Sequence, residues 1–360
     1  MTQDRIIEAL LAFIENDDAS DEEFDALALT LFAWQFEHNE PYRRFCQQRE
    51  RTPRRIKSWR DIPAVPINAF KDLTLSCSDP EQAERVFMTS GTTQGGVHGK
   101  SYHADIRVYD ASMIANFRHR FMGEYDRIRM GILFPDEIAM PNSSLAHYLA
   151  LAKENFGTDD SHYLLTEDGI DQIRLLTELA HAETSGEPYA LLGASYSFVH
   201  LLDEMRTMGE SAELPPGSRI LDTGGFKGQS RELDLDEFYT QLSSTFYVPR
   251  DLCINMYGMT ELSTQFYDWG NRTCPSVKSG PHWIRTRAID PLTGKDVPHG
   301  ETGVLVHCDL AHFNIVSTIL TEDAGIMVED GFLLLGRADG AEAKGCSMAV
   351  AEFLKAARNR

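Results

Sequence analysis

The sequence lacks the features typical of membrane, disulfide-framework and nucleic-acid-binding proteins. No apolar run approaches the ~20 residues needed to cross a bilayer, and the polar first residues give no secretory signal. The six cysteines are scattered without CxxC spacing, which argues against a zinc site or a small disulfide scaffold. Lys and Arg number 34 against 55 Asp and Glu, and the net charge of −21 disfavours nucleic acid and anionic lipid. We therefore expect a cytoplasmic protein with no membrane span and no nucleic-acid partner.

Apolar periodicity predicts an α/β fold. The pattern indicates helices at 4–16 and 21–38 and irregular, proline-punctuated structure over 39–85. Strand-like runs then alternate with helical ones, which predicts a mostly parallel sheet; the strands are expected at 86–89, 129–134, 189–193, 218–222 and 252–256, and the helices at 105–121, 143–155, 170–183, 197–208 and 235–246. From about residue 280, short strands and turns predict a small antiparallel β subdomain.

The expected organisation has four parts. Residues 1–85 form a helical N-terminal region, 86–280 an α/β core, 281–340 the β subdomain and 341–360 a C-terminal tail.

Two short motifs, far apart in the chain, predict a nucleotide site. Residues 88–96 read Met-Thr-Ser-Gly-Thr-Thr-Gln-Gly-Gly, and glycines let the backbone approach phosphate oxygens while hydroxyls add donors. Residues 256–261 read Met-Tyr-Gly-Met-Thr-Glu and supply an aromatic ring, a hydroxyl and a carboxylate. Since both motifs follow apolar strand-like runs, we expect them at the carboxyl edge of the sheet, holding a triphosphate, a stacked base and a divalent metal. A Walker A loop is excluded because Gln94 occupies the position of its first glycine.

The motif pair resembles the adenylate-forming enzymes, which include acyl-CoA synthetases and luciferases. Further similarity lies, in the family's order, at 300–305 (Gly-Glu-Thr-Gly-Val-Leu), 321–325 (Thr-Glu-Asp-Ala-Gly) and 336–339 (Gly-Arg-Ala-Asp). The flanks at 62–67, 141–145, 223–228 and 341–347 resemble the acyl-protein synthetase branch, which includes the synthetase subunit of the bacterial bioluminescence fatty acid reductase complex. The resemblance implies the fold of the adenylate-forming N-terminal domain, with parallel βαβ subdomains, a small antiparallel β subdomain and no full C-terminal domain.

The resemblance also implies a role for individual residues toward ATP and Mg²⁺. Phosphate binding falls to the first motif, namely Thr89, Ser90, Gly91, Thr92, Thr93 and Gly95. Tyr257 would stack on adenine, Gly258 would leave room for the acyl group, and Thr260 would bond the α-phosphate. Glu261 would help to hold Mg²⁺, since this hard cation prefers carboxylate and phosphate oxygens. The remaining contacts would come from Gly224 and Gly225 beside adenine or the acyl phosphate, Asp323 on the ribose, and Arg337 on the ribose or a phosphate.

Most adenylate-forming ligases carry a C-terminal domain with a lysine that contacts the α-phosphate. Only 21 residues follow Asp339 here, so we expect that domain to be absent. Another cation must then offset the charge at the reacting phosphate; Lys227 is the first candidate and Lys100 the second.

Cys346 is the candidate acyl acceptor. An acyl adenylate is a mixed anhydride that a thiolate attacks readily. Lys344 is expected to lower the thiol pKa, and the terminal position suits a mobile tail. The predicted function is thus ATP-dependent activation of a carboxylic acid, fatty or otherwise apolar, with transfer to Cys346. The acid pocket is expected near 140–145, His147, Tyr148 and 193–197.

Two alternatives remain open at the level of the sequence. One is a ligase that passes an aryl or polyketide-type acid to CoA or to a carrier protein. The other is a non-catalytic acyl- or nucleotide-binding subunit of a larger complex. An acyl-accepting partner such as a reductase, a carrier protein or a transferase is expected beside the acid substrate.

Overall fold

The computed structural model describes residues 2–89, 97–226 and 230–358, with the side chain of Ala341 left aside. The α-helices are α1 (Gln3–Ile14), α2 (Asp21–His38), α3 (Glu40–Gln48), α4 (Ala69–Asp72), α5 (Arg107–Phe117), α6 (Ser144–Phe156), α7 (Gln172–Ser185), α8 (Ser195–Met208), α9 (Leu235–Phe246) and α10 (Gly340–Arg358). The strands are β1 (Val65–Pro66), β2 (Arg85–Met88), β3 (Lys100–His103), β4 (Arg129–Leu133), β5 (His162–Tyr163), β6 (Leu165–Thr166), β7 (Gly169–Ile170), β8 (Tyr189–Ala194), β9 (Arg219–Thr223), β10 (Cys253–Tyr257), β11 (Phe266–Tyr267), β12 (Val277–Lys278), β13 (Ile284–Ile289), β14 (Thr302–Asp309), β15 (Thr318–Val328) and β16 (Gly331–Arg337).

The N-terminal helices begin at polar caps. Ser20 and Glu23 form a reciprocal capping box at the start of α2, where the sequence predicts a helix. The prediction of irregular structure over 39–85 is wrong for α3. Pro41 stands in its first turn, where a missing N–H costs no helical hydrogen bond, and the Asn39 side chain accepts from Tyr42 N at 3.3 Å.

The parallel α/β sheet is confirmed. Its strand order is β11-β10-β9-β8-β4-β5, and every pairing is parallel except that of β10 with the short β11. All six residues of β8 and all five of β9 are buried, as expected for strands covered on both faces. The carboxyl ends of β8, β9 and β10 meet at one edge, which is where ligands bind in such sheets.

The strand before the first motif does not belong to this sheet, contrary to the prediction. Strand β2 pairs antiparallel with β3, from Arg85–His103 to Met88–Lys100, in a separate hairpin. Eleven residues lie between Met88 and Lys100. A parallel crossover needs about a dozen or more residues, so this short connection favours the antiparallel return.

The antiparallel β subdomain is confirmed and is larger than expected. Its order is β12-β16-β15-β14-β13, and β1 adds to it by pairing in parallel with β15. The predicted division at residue 85 is not reflected in the packing, because one hydrophobic core contains Ile6 and Phe24 as well as Ile319 and Phe353.

The C-terminal segment is a packed helix rather than a mobile tail. Helix α10 lies on α3, with the rings of Phe353 and Phe45 4.6 Å apart. Arg49 makes two hydrogen bonds to the Glu352 carboxylate on the outer side, at 2.9 and 2.6 Å. No helix in the described ranges is long and apolar enough to cross a membrane.

Candidate functional site

The carboxyl end of β9 borders space that the described residues leave open. Gly224 and Gly225 follow β9, and a Cβ added at either one would meet no atom of the described residues within 4 Å. Gly224 has a φ of +82°, a conformation that side chains other than glycine rarely adopt. A cavity of about 100 Å³ adjoins these glycines, and Asn255 and Leu334 form part of its wall. The glycines therefore leave an approach to the end of the sheet for a flat or phosphorylated ligand.

Tyr257, Asp323 and Arg337 meet at this edge, although 66 residues separate the first two. The Tyr257 hydroxyl donates to Asp323 Oδ2 at 2.8 Å. Asp323 and Arg337 are register partners on β15 and β16, and Arg337 Nε lies 3.5 Å from Asp323 Oδ1. Burial, followed by the charge of Asp323, raises the pKa of Tyr257, so the phenol is neutral and acts as a donor. The fold thus brings together three of the residues that the sequence assigns to adenine and ribose.

Glu261 is a buried carboxylate beside the hairpin that carries the first motif. A Cβ added at Gly99 would lie 3.4 Å from Glu261 Oε1 and 3.3 Å from Thr89 Cγ2. Burial raises the pKa of Glu261 to about 7, although Arg337 and Lys71 pull it down. Its charge is therefore poorly satisfied by the protein alone. Thr260, directly before it, is half-buried.

Thr89 lies at the start of the segment that is predicted to bind phosphate. Its hydroxyl accepts from Gly99 N at 2.9 Å, and its backbone N–H donates to Gly99 O at 3.0 Å. The other residues that the sequence assigns to the phosphates and to the reacting cation lie outside the described residues; these are Ser90, Gly91, Thr92, Thr93, Gly95 and Lys227. Lys100, the second lysine candidate, is exposed at the start of β3.

Sequence reasoning missed a contribution from α4 and the residue before it. Asn68 donates its side-chain amide to Glu322 Oε1, and Glu322 Oε2 lies 3.2 Å from Arg337 Nη1. Lys71, on α4, stabilises the charged form of Glu261. The flank at 62–67, which resembles the acyl-protein synthetases, ends directly before Asn68 and was the available signal.

A buried carboxylate under the glycines was also missed. Asp222 is 1% exposed and accepts hydrogen bonds from Ser195 Oγ at 2.6 Å, Tyr239 OH at 2.9 Å and Asn255 Nδ2 at 2.9 Å. Burial raises its pKa to about 6, and these donors limit the rise. The network fixes the Asn255 amide and the start of α8 relative to the Gly224–Gly225 turn.

Cys346 lies beside β15, the strand of the predicted ribose-binding Asp323, with a buried and protonated thiol. Its Sγ donates to Thr321 O at 3.8 Å, two residues before Asp323 on β15. Burial raises the pKa of Cys346 to about 11, and the charges of Glu322 and Asp323 add to this. The expected lowering of that pKa by Lys344 is therefore wrong. The chain holds the thiol close to the predicted ribose carboxylate, and in this buried, protonated form the thiol is a poor nucleophile.

Two residues that were expected to line the acid pocket belong to the core. His147 is 5% exposed; its Nδ1 lies 2.7 Å from Glu137 Oε1 and its Nε2 lies 2.9 Å from Asp110 Oδ1. The Tyr148 hydroxyl is hydrogen-bonded to the Tyr267 hydroxyl at 2.7 Å, within the core. Their polar atoms are satisfied by protein groups, so they offer nothing to a substrate.

Comparison with known proteins identifies the family. The family model described as acyl-protein synthetase, LuxE, matches residues 3–355. The long-chain-fatty-acid–luciferin-component ligase of Vibrio harveyi is 29% identical over 306 residues, which cover 83% of this chain and 78% of the relative. The ligase of the same name from Aliivibrio fischeri is 26% identical over 348 residues, 92% of this chain and 88% of the relative.

Solved structures show the same fold at low identity. 2-Hydroxyisobutyryl-CoA ligase, in complex with 2-HIB-AMP in the postadenylation state, superimposes with a TM-score of 0.65 at 15% identity, over 89% of this chain and 68% of the ligase. ATP-bound MatB from Rhodopseudomonas palustris gives a TM-score of 0.51 at 16% identity, over 72% of this chain and 49% of MatB. The predicted adenylate-forming fold is confirmed. Because the family model spans nearly the whole chain, this protein belongs to the acyl-protein synthetase family, LuxE.

Proposed function

We propose that this protein activates a long-chain fatty acid with ATP and transfers the acyl group to its own Cys346. The observation that carries the proposal is the convergence at β15. Asp323 on this strand accepts from the Tyr257 hydroxyl at 2.8 Å, and the Cys346 thiol contacts Thr321 O at 3.8 Å on the same strand. A nucleotide held by Tyr257 and Asp323 would therefore lie close to the acyl acceptor.

The reaction has two steps. In the first, a carboxylate oxygen of the acid attacks the α-phosphorus of ATP, the bond to the bridging oxygen breaks, and pyrophosphate leaves. In the second, the Cys346 thiolate attacks the acyl carbon, the bond to the AMP oxygen breaks, and AMP leaves with the electron pair. Because the thiol has a pKa of about 11, its proton must pass to water or to a nearby base when α10 opens.

The residue roles follow the geometry of the edge. Tyr257 would lie against adenine beside the Gly224–Gly225 turn. Gly258, where an added Cβ would lie 3.2 Å from Met256 Sδ, would keep side-chain bulk away from the acyl group. Asp323 would accept from the ribose hydroxyls, with Arg337 supporting it. Thr260 would donate to the α-phosphate, and Thr89 would orient the phosphate loop that contains Ser90, Gly91, Thr92, Thr93 and Gly95.

The site fits a magnesium ion bound together with the phosphates. Glu261 is a 6% exposed carboxylate whose raised pKa reflects unmet charge, and a hard cation would satisfy it. Within the described ranges no group of three or more His, Cys, Asp or Glu side chains forms a metal cage, as suits an ion whose other ligands are phosphate oxygens and water. When bound, the ion would stabilise charge on the leaving pyrophosphate.

A lysine within this chain would stabilise charge at the reacting phosphate. Lys227 is our candidate for the α-phosphate because its loop follows β9, next to Gly224 and Gly225. Lys71 lies near Glu261, to which we assign the metal ion, and would add positive charge beside the phosphates that the ion binds. Lys100 is the alternative on the hairpin.

A mass-based assay tests the proposal. The protein is incubated with ATP, Mg²⁺ and saturated fatty acids while pyrophosphate release and intact mass are followed. We expect pyrophosphate release together with an acyl mass gain that hydroxylamine removes and that maps to Cys346. Cys346→Ser should keep pyrophosphate release and lose the mass gain, whereas Cys274→Ser, at a half-buried cysteine, should change neither.

Different outcomes would redirect the proposal. Thioester labelling of Cys346→Ser would exclude Cys346 as the acceptor. Pyrophosphate release without a mass gain would indicate CoA or a carrier protein as acceptor. A reductase, carrier protein or transferase that removes the acyl group would be revealed by loss of the label when the partner is added.

A further inference from the structure

A cavity of about 470 Å³ lies between α8 and the β6–β7 hairpin. Its volume falls in the range of small-molecule sites, roughly 300–1,000 Å³. Leu165 and Ile170, which pair across the hairpin, form one wall, while Tyr196 and Met208 belong to the α8 wall. No role in the reaction described above uses this cavity.

The cavity begins one residue from the nucleotide edge. Ser195, the first residue of α8, donates to Asp222 Oδ2 at 2.6 Å and lies 3.4 Å from Gly224 O. The next two residues, Tyr196 and Ser197, already line the cavity. An acid whose carboxylate reacts beside Gly224 would reach this cavity by passing the start of α8 between Ser195 and Tyr196.

The α8 wall is long enough for an extended acyl chain. The lining residues 196, 197, 200, 203, 204, 207 and 208 recur at helical spacing, so they lie on one face of the helix. A helix rises about 1.5 Å per residue, which makes this wall about 18 Å long from Tyr196 to Met208. That length suits a long-chain acid better than a compact aryl acid.

The wall also carries polar groups, one of which lacks a partner. Ser197 is 3% exposed, and its hydroxyl has no hydrogen-bond partner among the described residues, which is unusual for a buried hydroxyl. It stands at the nucleotide end of the cavity, where the polar end of an acid or an ordered water would satisfy it. Two carboxylates in the wall are already engaged, Asp203 by Arg231 at 3.0 Å and Glu204 by Gln172 at 3.2 Å.

We propose that this cavity, the acyl groove, holds the alkyl chain of the acid, with the carboxyl end near Ser195 and the methyl end toward Met208. The inference rests on the proposed function and adds the position of the chain and a limit to its length. Methyl-end contacts with Ile170 and Met208 would set the preferred chain length.

Blocking the groove from opposite walls tests this assignment. Ile170→Trp and Met208→Trp each place a bulky ring in the groove, and Ile173→Trp is the matched control because Ile173 is 83% exposed and outside the wall. Acids from octanoic to hexadecanoic are compared by pyrophosphate release and hydroxylamine-labile mass gain. We expect both groove variants to lose at least about tenfold in activity with the longest acids and to keep activity with the shortest, while the control keeps the wild-type profile.

The outcomes separate this inference from the function on which it rests. An unchanged chain-length profile in both groove variants, or an equal loss for all acids, would overturn the acyl groove while wild-type activity upheld the function. A wild-type protein that prefers acids too short to reach Ile170 would also overturn it. If none of the acids caused the wild-type protein to release pyrophosphate, both the acyl groove and the proposed function would be overturned.

Discussion

Glu261 should make stability depend on pH in a specific direction. Its pKa is about 7 in the folded chain against an ordinary 4.5. Because the folded-state pKa is raised, the protonated carboxyl favours the folded state, and this contribution is lost as pH rises from about 4.5 through about 7. Glu261→Gln is neutral at every pH. We expect it to exceed the wild type in unfolding free energy by up to about 3 kcal/mol at pH 8, and by much less at pH 5.

Urea unfolding at the two pH values, without Mg²⁺ or nucleotide, measures this difference. Glu329→Gln, at an exposed carboxylate in the turn before β16, should show no such change with pH. An equal gain for Glu261→Gln at both pH values would show that its carboxylate ionises normally. The same variant should lose Mg²⁺-dependent pyrophosphate release, because the neutral amide removes the charge that we assign to the ion.

Substitution can rank the three candidate lysines by how much each contributes to pyrophosphate release. Lys227→Ala and Lys71→Ala should each lower pyrophosphate release by about 10²-fold or more, since a preorganised cation acts where charge develops. Unfolding midpoints measured for each variant separate a loss of catalysis from a loss of stability. Lys100→Ala is the comparison on the exposed hairpin, and a larger loss there than at Lys227 would move the reacting phosphate toward β3.

Single residues were predictable from sequence where a motif fixes their neighbours. Tyr257, Asp323 and Arg337 come from three separate motifs, and the structure joins them by direct contacts. Asp222 was not predictable, because its surroundings depend on tertiary packing of strands and helices far apart in the chain. The prediction that Lys344 lowers the thiol pKa of Cys346 was wrong for the same reason, since burial raises that pKa.

At the level of elements, helix α10 must open to expose Cys346. The thiol is 3% exposed, and Phe353 and Phe45 hold the helix on α3 with their rings 4.6 Å apart. Phe353→Ala removes this buried contact, and a cavity of that kind typically costs about 3–5 kcal/mol. We expect faster alkylation of Cys346 in this variant, measured by peptide mapping after timed exposure to a thiol reagent.

Met348→Ala is the matched substitution on the same helix, since Met348 is 57% exposed. It should leave the alkylation rate unchanged. Equal rates in Phe353→Ala and the wild type would mean that α10 opens by a route that does not involve its contact with α3. Faster alkylation of Cys308, which is buried on β14, would instead indicate global destabilisation.

Most elements followed from periodicity because their apolar spacing was unambiguous. Strands β4, β8, β9 and β10 lie within one or two residues of the predicted runs. The errors occur where the position of a single residue or the length of a loop decides the structure. Pro41 reads as a helix breaker but occupies a first turn, and the loop after β2 is too short for a crossover.

For the molecule as a whole, buried hydrogen bonds of the Gln35 side chain join the N-terminal helices to the antiparallel sheet. Gln35, on α2, is fully buried, and its amide donates to Phe313 O at 2.9 Å. Its carbonyl oxygen accepts from Ser317 N and from Ser317 Oγ, both at 3.1 Å. These bonds link α2 to the connection between β14 and β15. Strand β15 carries Asp323 and contacts Cys346 through Thr321 O. The helices and the sheet should therefore unfold together, although the sequence pattern divides them.

Gln35→Ala tests this cooperativity. The substitution leaves the Phe313 carbonyl and the Ser317 N–H buried without that partner, at a cost of about 1–3 kcal/mol for each unsatisfied group. We expect calorimetry to show a lower midpoint for the transition that includes β15. ATP binding should also weaken, because the hydrogen bonds of Gln35 support the strand that carries Asp323. Glu37→Ala, at an exposed position of the same helix, should alter neither. If Gln35→Ala shifted only a separate minor transition and left ATP binding intact, the first 85 residues would be an independent domain after all, and the nucleotide site would draw no support from them.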